Sequence, residues 1–167
     1  MNFKESLNHV RCFMFDMDGV LTDGTLLVMP EEFHRTMYIR DGYAMKQAID
    51  AGYIIAVISG GKSASAQTRF NKLGVTEVFL GVEDKLEVMK DIMSRHELKK
   101  EEVLFMGDDL PDYEVMQHAG IPCCPADAAH EIKELSVYIS SYNGGKGCVR
   151  DVIEQAMRLQ GRWKLSN

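Results

Sequence analysis

Val10-Arg11-Cys12-Phe13-Met14-Phe15-Asp16-Met17-Asp18-Gly19-Val20-Leu21-Thr22-Asp23-Gly24 is an apolar run of strand length that ends abruptly in Asp16, with a second acid two residues on and a glycine behind it. Strand side chains alternate with a period of two, so carboxylates at i and i+2 leaving a strand can face the same crevice. Two acids sharing one pocket repel unless a cation or a proton offsets them, which suits metal-assisted or acid/base chemistry. Taken alone, the stretch reads equally well as a strand entering an Asp-Gly turn.

The rest of the chain repeats the pattern. Leu26-Leu27-Val28-Met29 and Phe33 to Ile39 flank Pro30-Glu31-Glu32, a β-hairpin with a polar tip. A helix is expected from Gly42 to Ala51, stopped by Gly52. Tyr53 to Ile58 is a continuous apolar run, the mark of a strand buried on both faces, and it ends in Ser59-Gly60-Gly61 before a helix over Ser63–Leu73. Strands follow at Val78–Leu80 and Val103–Met106, the second ending in Gly107-Asp108-Asp109, with a helix over Asp84–His96 between them. A helix opened by Pro111 runs through Ala119; Ile121–Cys123 and Val137–Ile139 are outer strands around a helix near Ala128–Leu135. The last helix, about Lys146 to Gln160, aligns Val149, Val152, Ile153, Ala156 and Met157 in one stripe.

Strands alternating with helices predict an α/β fold with a doubly wound parallel sheet, and the 167 residues form one domain, 1–167. Ligands of such sheets bind at the carboxyl ends of the strands. Asp16 with Asp18, Ser59 with Gly60, and Asp108 with Asp109 all stand at such ends, and Lys85 and Asp112 lie at the starts of nearby helices. Five carboxylates around one cleft call for a divalent cation, and oxygen donors without His or thiolate favour Mg²⁺. A metal, a lysine, a hydroxyl and a helix N-terminus together suit a phosphoryl group, with one Asp as nucleophile and another as general acid/base.

Other classes fit poorly. The net charge of −6 argues against a nucleic-acid partner or an anionic membrane surface. Cys12, Cys123, Cys124 and Cys148 lack zinc spacing and read as buried hydrophobes of a reducing compartment. His9, His34, His96, His118 and His130 also lack ligand spacing. With no apolar leader core and no span of the roughly 20 apolar residues a membrane helix needs, the expectation is a cytoplasmic protein. An EF-hand loop from Asp16 would place Val20 and Leu21 at ligand and glycine positions, and a P-loop through Gly61-Lys62-Ser63 would need glycine where Ala56 stands.

In order and spacing, Asp16-Met17-Asp18-Gly19-Val20, Ile58-Ser59-Gly60, Lys85, and Gly107-Asp108-Asp109 with Asp112 resemble the four motifs of the haloacid dehalogenase superfamily of phosphatases. The resemblance implies a Rossmann-like core in which Asp16 is the nucleophile forming an aspartyl-phosphate and Asp18 the general acid/base. It also implies that Ser59 and Lys85 hold phosphate oxygens, and that Asp16, the backbone carbonyl of Asp18, and Asp108 bind Mg²⁺. Asp109 and Asp112 would then support the metal or Lys85 from behind.

Only the hairpin, about residues 26–39, separates Asp18 from the next helix, and 25 residues lie between Ser59 and Lys85, which leaves no room for a cap domain. The hairpin, Arg40-Asp41-Gly42-Tyr43 and Asn143-Gly144-Gly145-Lys146-Gly147-Cys148-Val149-Arg150 are similar to the capless 3-deoxy-D-manno-octulosonate 8-phosphate phosphatases. That likeness implies a small sugar-acid phosphate of bacterial lipopolysaccharide synthesis as substrate. Gly60, Arg69, Lys72, Arg40 and Lys146 would contact it, Arg69 near its carboxylate. An open cleft must exclude water through a neighbouring subunit, so a homotetramer with packed hairpins is expected. Gly61 stands where such enzymes often carry arginine, which leaves a nonulosonate 9-phosphate as the alternative substrate. A non-catalytic oligomerisation domain of the same fold is the competing class. The tail Gly161-Arg162-Trp163-Lys164-Leu165 reads as a frayed terminus or as an arm toward a neighbouring site.

Overall fold

A computed structural model describes residues 2–166. Six strands form one parallel sheet: β1 (Cys12–Phe15), β4 (Ile54–Ile58), β5 (Glu77–Phe79), β6 (Val103–Met106), β7 (Ile121–Cys124) and β8 (Tyr138–Ile139). The order across the sheet is β5-β4-β1-β6-β7-β8. From β1 the chain winds outward through β4 to β5, then crosses back and winds the other way through β6, β7 and β8. β1 therefore pairs in parallel with both β4 and β6, Phe15 aligning with Val57 on one side and Met106 on the other. The topological switch lies beside β1, where adjacent crossovers depart to opposite sides and leave a crevice at the carboxyl ends.

Alternation along β1 sends Phe13 and Phe15 to one core and Cys12 and Met14 to the other. The first core lies under α2 (Ile39–Asp50), α3 (Ala64–Leu73) and α7 (Cys148–Leu159), the second under α4 (Lys85–Arg95), α5 (Tyr113–His118) and α6 (His130–Leu135). The expected stripe on α7 is fully buried, at about 1.5–3 kcal/mol for each large apolar side chain. All four cysteines are free and buried.

Three local readings change. The N-terminus carries a short helix, α1 (Phe3–Leu7), that the hydrophobic pattern is too short to reveal. Its signal is a capping box, Asn2 accepting from the Glu5 amide and Glu5 accepting from the Asn2 amide. The hairpin is shorter than expected, β2 (Leu27–Val28) pairing with β3 (Phe33–His34), and Ile39 begins α2 instead of ending a strand. Gly42, expected to start the helix, lies inside its first turns, where a Cβ would stand 2.7 Å from the movable end of the Arg69 side chain. The tail does not fray: Lys164 exchanges hydrogen bonds with the Gln47 side chain, and Trp163 meets the edge of Tyr43 and stacks under Arg150 and Arg158.

Candidate active site

The chain leaves β1 in one wide turn, closed by the Thr22 amide donating to the Met17 carbonyl at 3.1 Å. Gly19 takes φ +87° in that turn, and the Asp108 carboxylate packs against it so closely that a Cβ there would overlap the carboxylate. The absence of a side chain at position 19 is thus what lets the Asp108 carboxylate close on the turn after β1. The buried Thr22 hydroxyl accepts from the amides of Gly19 and Gly24 and fixes the turn.

Asp16, at the end of β1, continues the ladder through its amide to the Met106 carbonyl. Lys85 opens α4 behind its N-cap Asp84 and sends Nζ inward, donating to Asp16 Oδ1 at 2.9 Å and to Asp112 Oδ1 at 2.7 Å. The other oxygen of Asp112 accepts from the Asp108 amide at 3.0 Å, so a single buried carboxylate ties Lys85 to the β6 loop. Ser59, almost wholly buried at the end of β4, accepts from the Gly61 amide at 3.1 Å. Asp16, Asp18, Ser59, Gly60, Gly61, Lys85, Asp108, Asp109 and Asp112 all line one cleft of about 330 Å³.

The charges are poorly compensated. Burial pushes Asp16 up to about 6, with the Asp112 charge adding and Lys85 opposing. Burial, then the Asp16 charge, pushes Asp108 up to about 8. Lys85 is held above its ordinary value: burial lowers it, and the charges and hydrogen bonds of Asp16 and Asp112 more than offset that. Asp16, Asp108 and Asp112 each offer a carboxylate oxygen within 4.8 Å of the others. An all-oxygen, acid-rich donor set that one lysine does not neutralise fits a hard divalent cation such as Mg²⁺.

The remaining expected residues stand outside the Lys85 network, and all but Asp109 lie outside the cleft. Asp109 lines it but is exposed and accepts from the Leu110 amide, capping the turn into α5 without touching Lys85. Arg40 and Lys146 line a different depression, with Tyr38, Tyr142, Arg150 and Arg158. Arg69 borders a small space beside Asp41, Gly42 and Phe70, and Lys72 is exposed near the end of α3. Sequence reasoning missed Arg35. It follows β3 and makes a two-pronged ion pair with Asp18, at 2.6 and 3.1 Å. A lone arginine beyond a hairpin carries no periodic or motif signal; the folded-over flap alone places it.

A parallel switch-point sheet with acids and a buried lysine at its strand ends defines a haloacid dehalogenase-like hydrolase, and residues 81–153 match that family. The chain is 31% identical to the 3-deoxy-D-manno-octulosonate 8-phosphate phosphatase of Escherichia coli (strain K12), over 92% of this chain and 82% of that one. It superposes with a TM-score of 0.90 on the corresponding phosphatase of Moraxella catarrhalis, crystallised with magnesium ion, phosphate ion and a KDO molecule, at 28% identity covering 95% and 91% of the two chains. The Yersinia pestis phosphatase gives a TM-score of 0.92 at 29% identity, covering 95% and 86%. The chain belongs to the 3-deoxy-D-manno-octulosonate 8-phosphate phosphatase family, within the phosphoric monoester hydrolases.

Proposed function

We propose that this chain hydrolyses 3-deoxy-D-manno-octulosonate 8-phosphate to the sugar acid and phosphate, with Mg²⁺ held by Asp16, Asp108 and the backbone carbonyl of Asp18. The observation that carries the reading is the buried Lys85 bridging Asp16 and Asp112 beside Asp108, at the switch point of a fold shared with phosphatases of this specificity. When bound, the metal supplies positive charge to the phosphoryl oxygens and offsets the repulsion among the acids.

This chain's own groups do the rest. Lys85 holds one Asp16 oxygen, which orients the other for attack on phosphorus. As the Asp16 oxygen–phosphorus bond forms, the bond from phosphorus to the sugar oxygen breaks, and that oxygen takes a proton from Asp18. Asp18 then removes a proton from water, the hydroxide oxygen bonds to phosphorus, and the aspartyl-phosphate bond breaks to restore Asp16. Ser59 and Gly60 line the cleft from the β4 side, where the Ser59 hydroxyl, its oxygen accepting from the Gly61 amide, is left to donate to the transferred group. Asp112 keeps Lys85 aimed.

The exposed apolar flap supports a homotetramer in which flaps pack together and cover the clefts, since Leu26, Leu27, Val28, Met29 and Phe33 all face solvent in the single chain. No helix among the described residues is long and apolar enough to cross a membrane. Phosphate release with Mg²⁺ should be fastest on octulosonate 8-phosphate, slower on nonulosonate 9-phosphates and slowest on simple sugar phosphates. Faster turnover of a nonulosonate 9-phosphate would reassign the sugar acid, and no turnover of any would overturn the enzymatic reading.

A further inference from the structure

Arg35 turns inward from an otherwise exposed flap, and its side chain is only 6% exposed. Nε donates to Asp18 Oδ1 at 2.6 Å, Nη2 to Oδ2 at 3.1 Å, and Nη1 to the Lys62 carbonyl at 3.4 Å. A fork on a carboxylate is the strong and directional form of the ion pair. The same fork rests against Gly61, where a Cβ would lie 2.7 Å from Asp18 Oδ2 and 2.9 Å from Arg35 Nη2. Glycine at 61 leaves the space that the Arg35 guanidinium takes.

This contact constrains the reaction. Both oxygens of Asp18 are engaged by Arg35, so presenting one of them to a leaving-group oxygen requires an exchange of partners. A guanidinium cannot shed its charge, and a buried one must find other acceptors. Lys85 is already committed to Asp16 and Asp112, and Arg69 lies in a separate space. What stands beside Asp18 during the exchange is the part of the substrate bonded to the ester oxygen.

We propose that Arg35 is a specificity-determining residue that shifts one arm of its fork from Asp18 to the sugar oxygens flanking the ester bond. The flap thereby selects an oxygen-rich leaving group and frees one Asp18 oxygen, which takes a proton from water and then passes it to the departing ester oxygen. The inference rests on the phosphatase reading above and adds to it the recognition of the leaving group.

The test compares wild type, Arg35→Met and Arg35→Lys on two substrates with Mg²⁺: octulosonate 8-phosphate, and n-butyl phosphate, whose alcohol leaving group needs the same proton from Asp18 but has no hydroxyl beside the ester. Arg35→Met should lose kcat/KM on the sugar phosphate by about 10- to 100-fold more than on the butyl phosphate, the range of a charged hydrogen bond, with KM rising for the sugar only. Arg35→Lys keeps the charge without the fork, and should show a smaller loss with the same preference. If Arg35→Met does not fold, Arg35→Lys carries the comparison alone. Equal losses on both substrates would overturn the inference and leave a merely structural ion pair, with the phosphatase reading intact. Failure of the wild type on both substrates would remove that reading and this inference together.

Discussion

Two regions of this molecule break the ordinary partition of polar and apolar side chains in opposite directions. At the strand ends, Asp16, Lys85 and Asp112 are 6%, 8% and 1% exposed; on the flap, Leu27 and Val28 are 63% and 69% exposed. Burying charge is tolerable only with partners, and the cleft supplies some: Lys85 between two acids, and the Asp108 amide on Asp112. Displaying a contiguous apolar strip to water has no such internal compensation. The contrast teaches that each region is incomplete in a different way: the cleft lacks positive charge, and the flap lacks apolar cover.

The largest expected effect tests the first half of the contrast. Asp16→Asn keeps the size of the side chain and an oxygen for Lys85 but removes the nucleophile. Turnover should fall by about a thousandfold or more, while the melting temperature holds or rises because a poorly compensated buried charge is gone. Substantial remaining activity would rule out an aspartyl-phosphate.

The second half is tested on the flap. If the proposed tetramer forms through the flap, Leu27→Asp combined with Val28→Asp should convert it to smaller species in sedimentation velocity and lower activity at dilute concentration. Melting of the subunit's own core should change little, since neither side chain packs into it. A tetramer that survives both charges would place its interface elsewhere.

A smaller effect sharpens the electrostatic side. Burial and the Asp16 charge raise Asp108 from 3.8 to about 8. A raised folded value means that its stabilising contribution is complete below about pH 4 and is lost as pH rises through 8. Metal-free protein should therefore lose several degrees of melting temperature over that range, and Mg²⁺ should restore them. Asp108→Asn should flatten both the pH dependence and the Mg²⁺ response. An unchanged pH profile in this variant would show that Asp108 is not the strained acid.

Much of the cleft is legible residue by residue. Asp16, Ser59 and Asp108 are read as strand-end polar groups because each follows an unbroken apolar run, and burial on both faces leaves a parallel strand no other place for a polar side chain than its end. Lys85 and Asp112 are legible only through the spacing of the whole motif set, since either alone looks like a solvated helix residue. Arg35 is not legible at all, because nothing local distinguishes it from any arginine in a loop. Gly42 misleads as a helix start, because α2 begins three residues earlier at Ile39, directly after the flap.

The order of strands and helices, the strand ends that carry chemistry and the oxygen-rich character of the site follow from sequence alone, because periodicity and motif order are properties of neighbouring residues. Which acid Lys85 bridges, the pairing of Asp18 with Arg35 over Gly61, the placement of Arg40 and Lys146 outside the acidic cleft, and the docking of Trp163 on α2 and α7 were decided only by tertiary structure. These contacts join segments far apart in the chain, whose meeting depends on how the sheet winds and how the flap folds over.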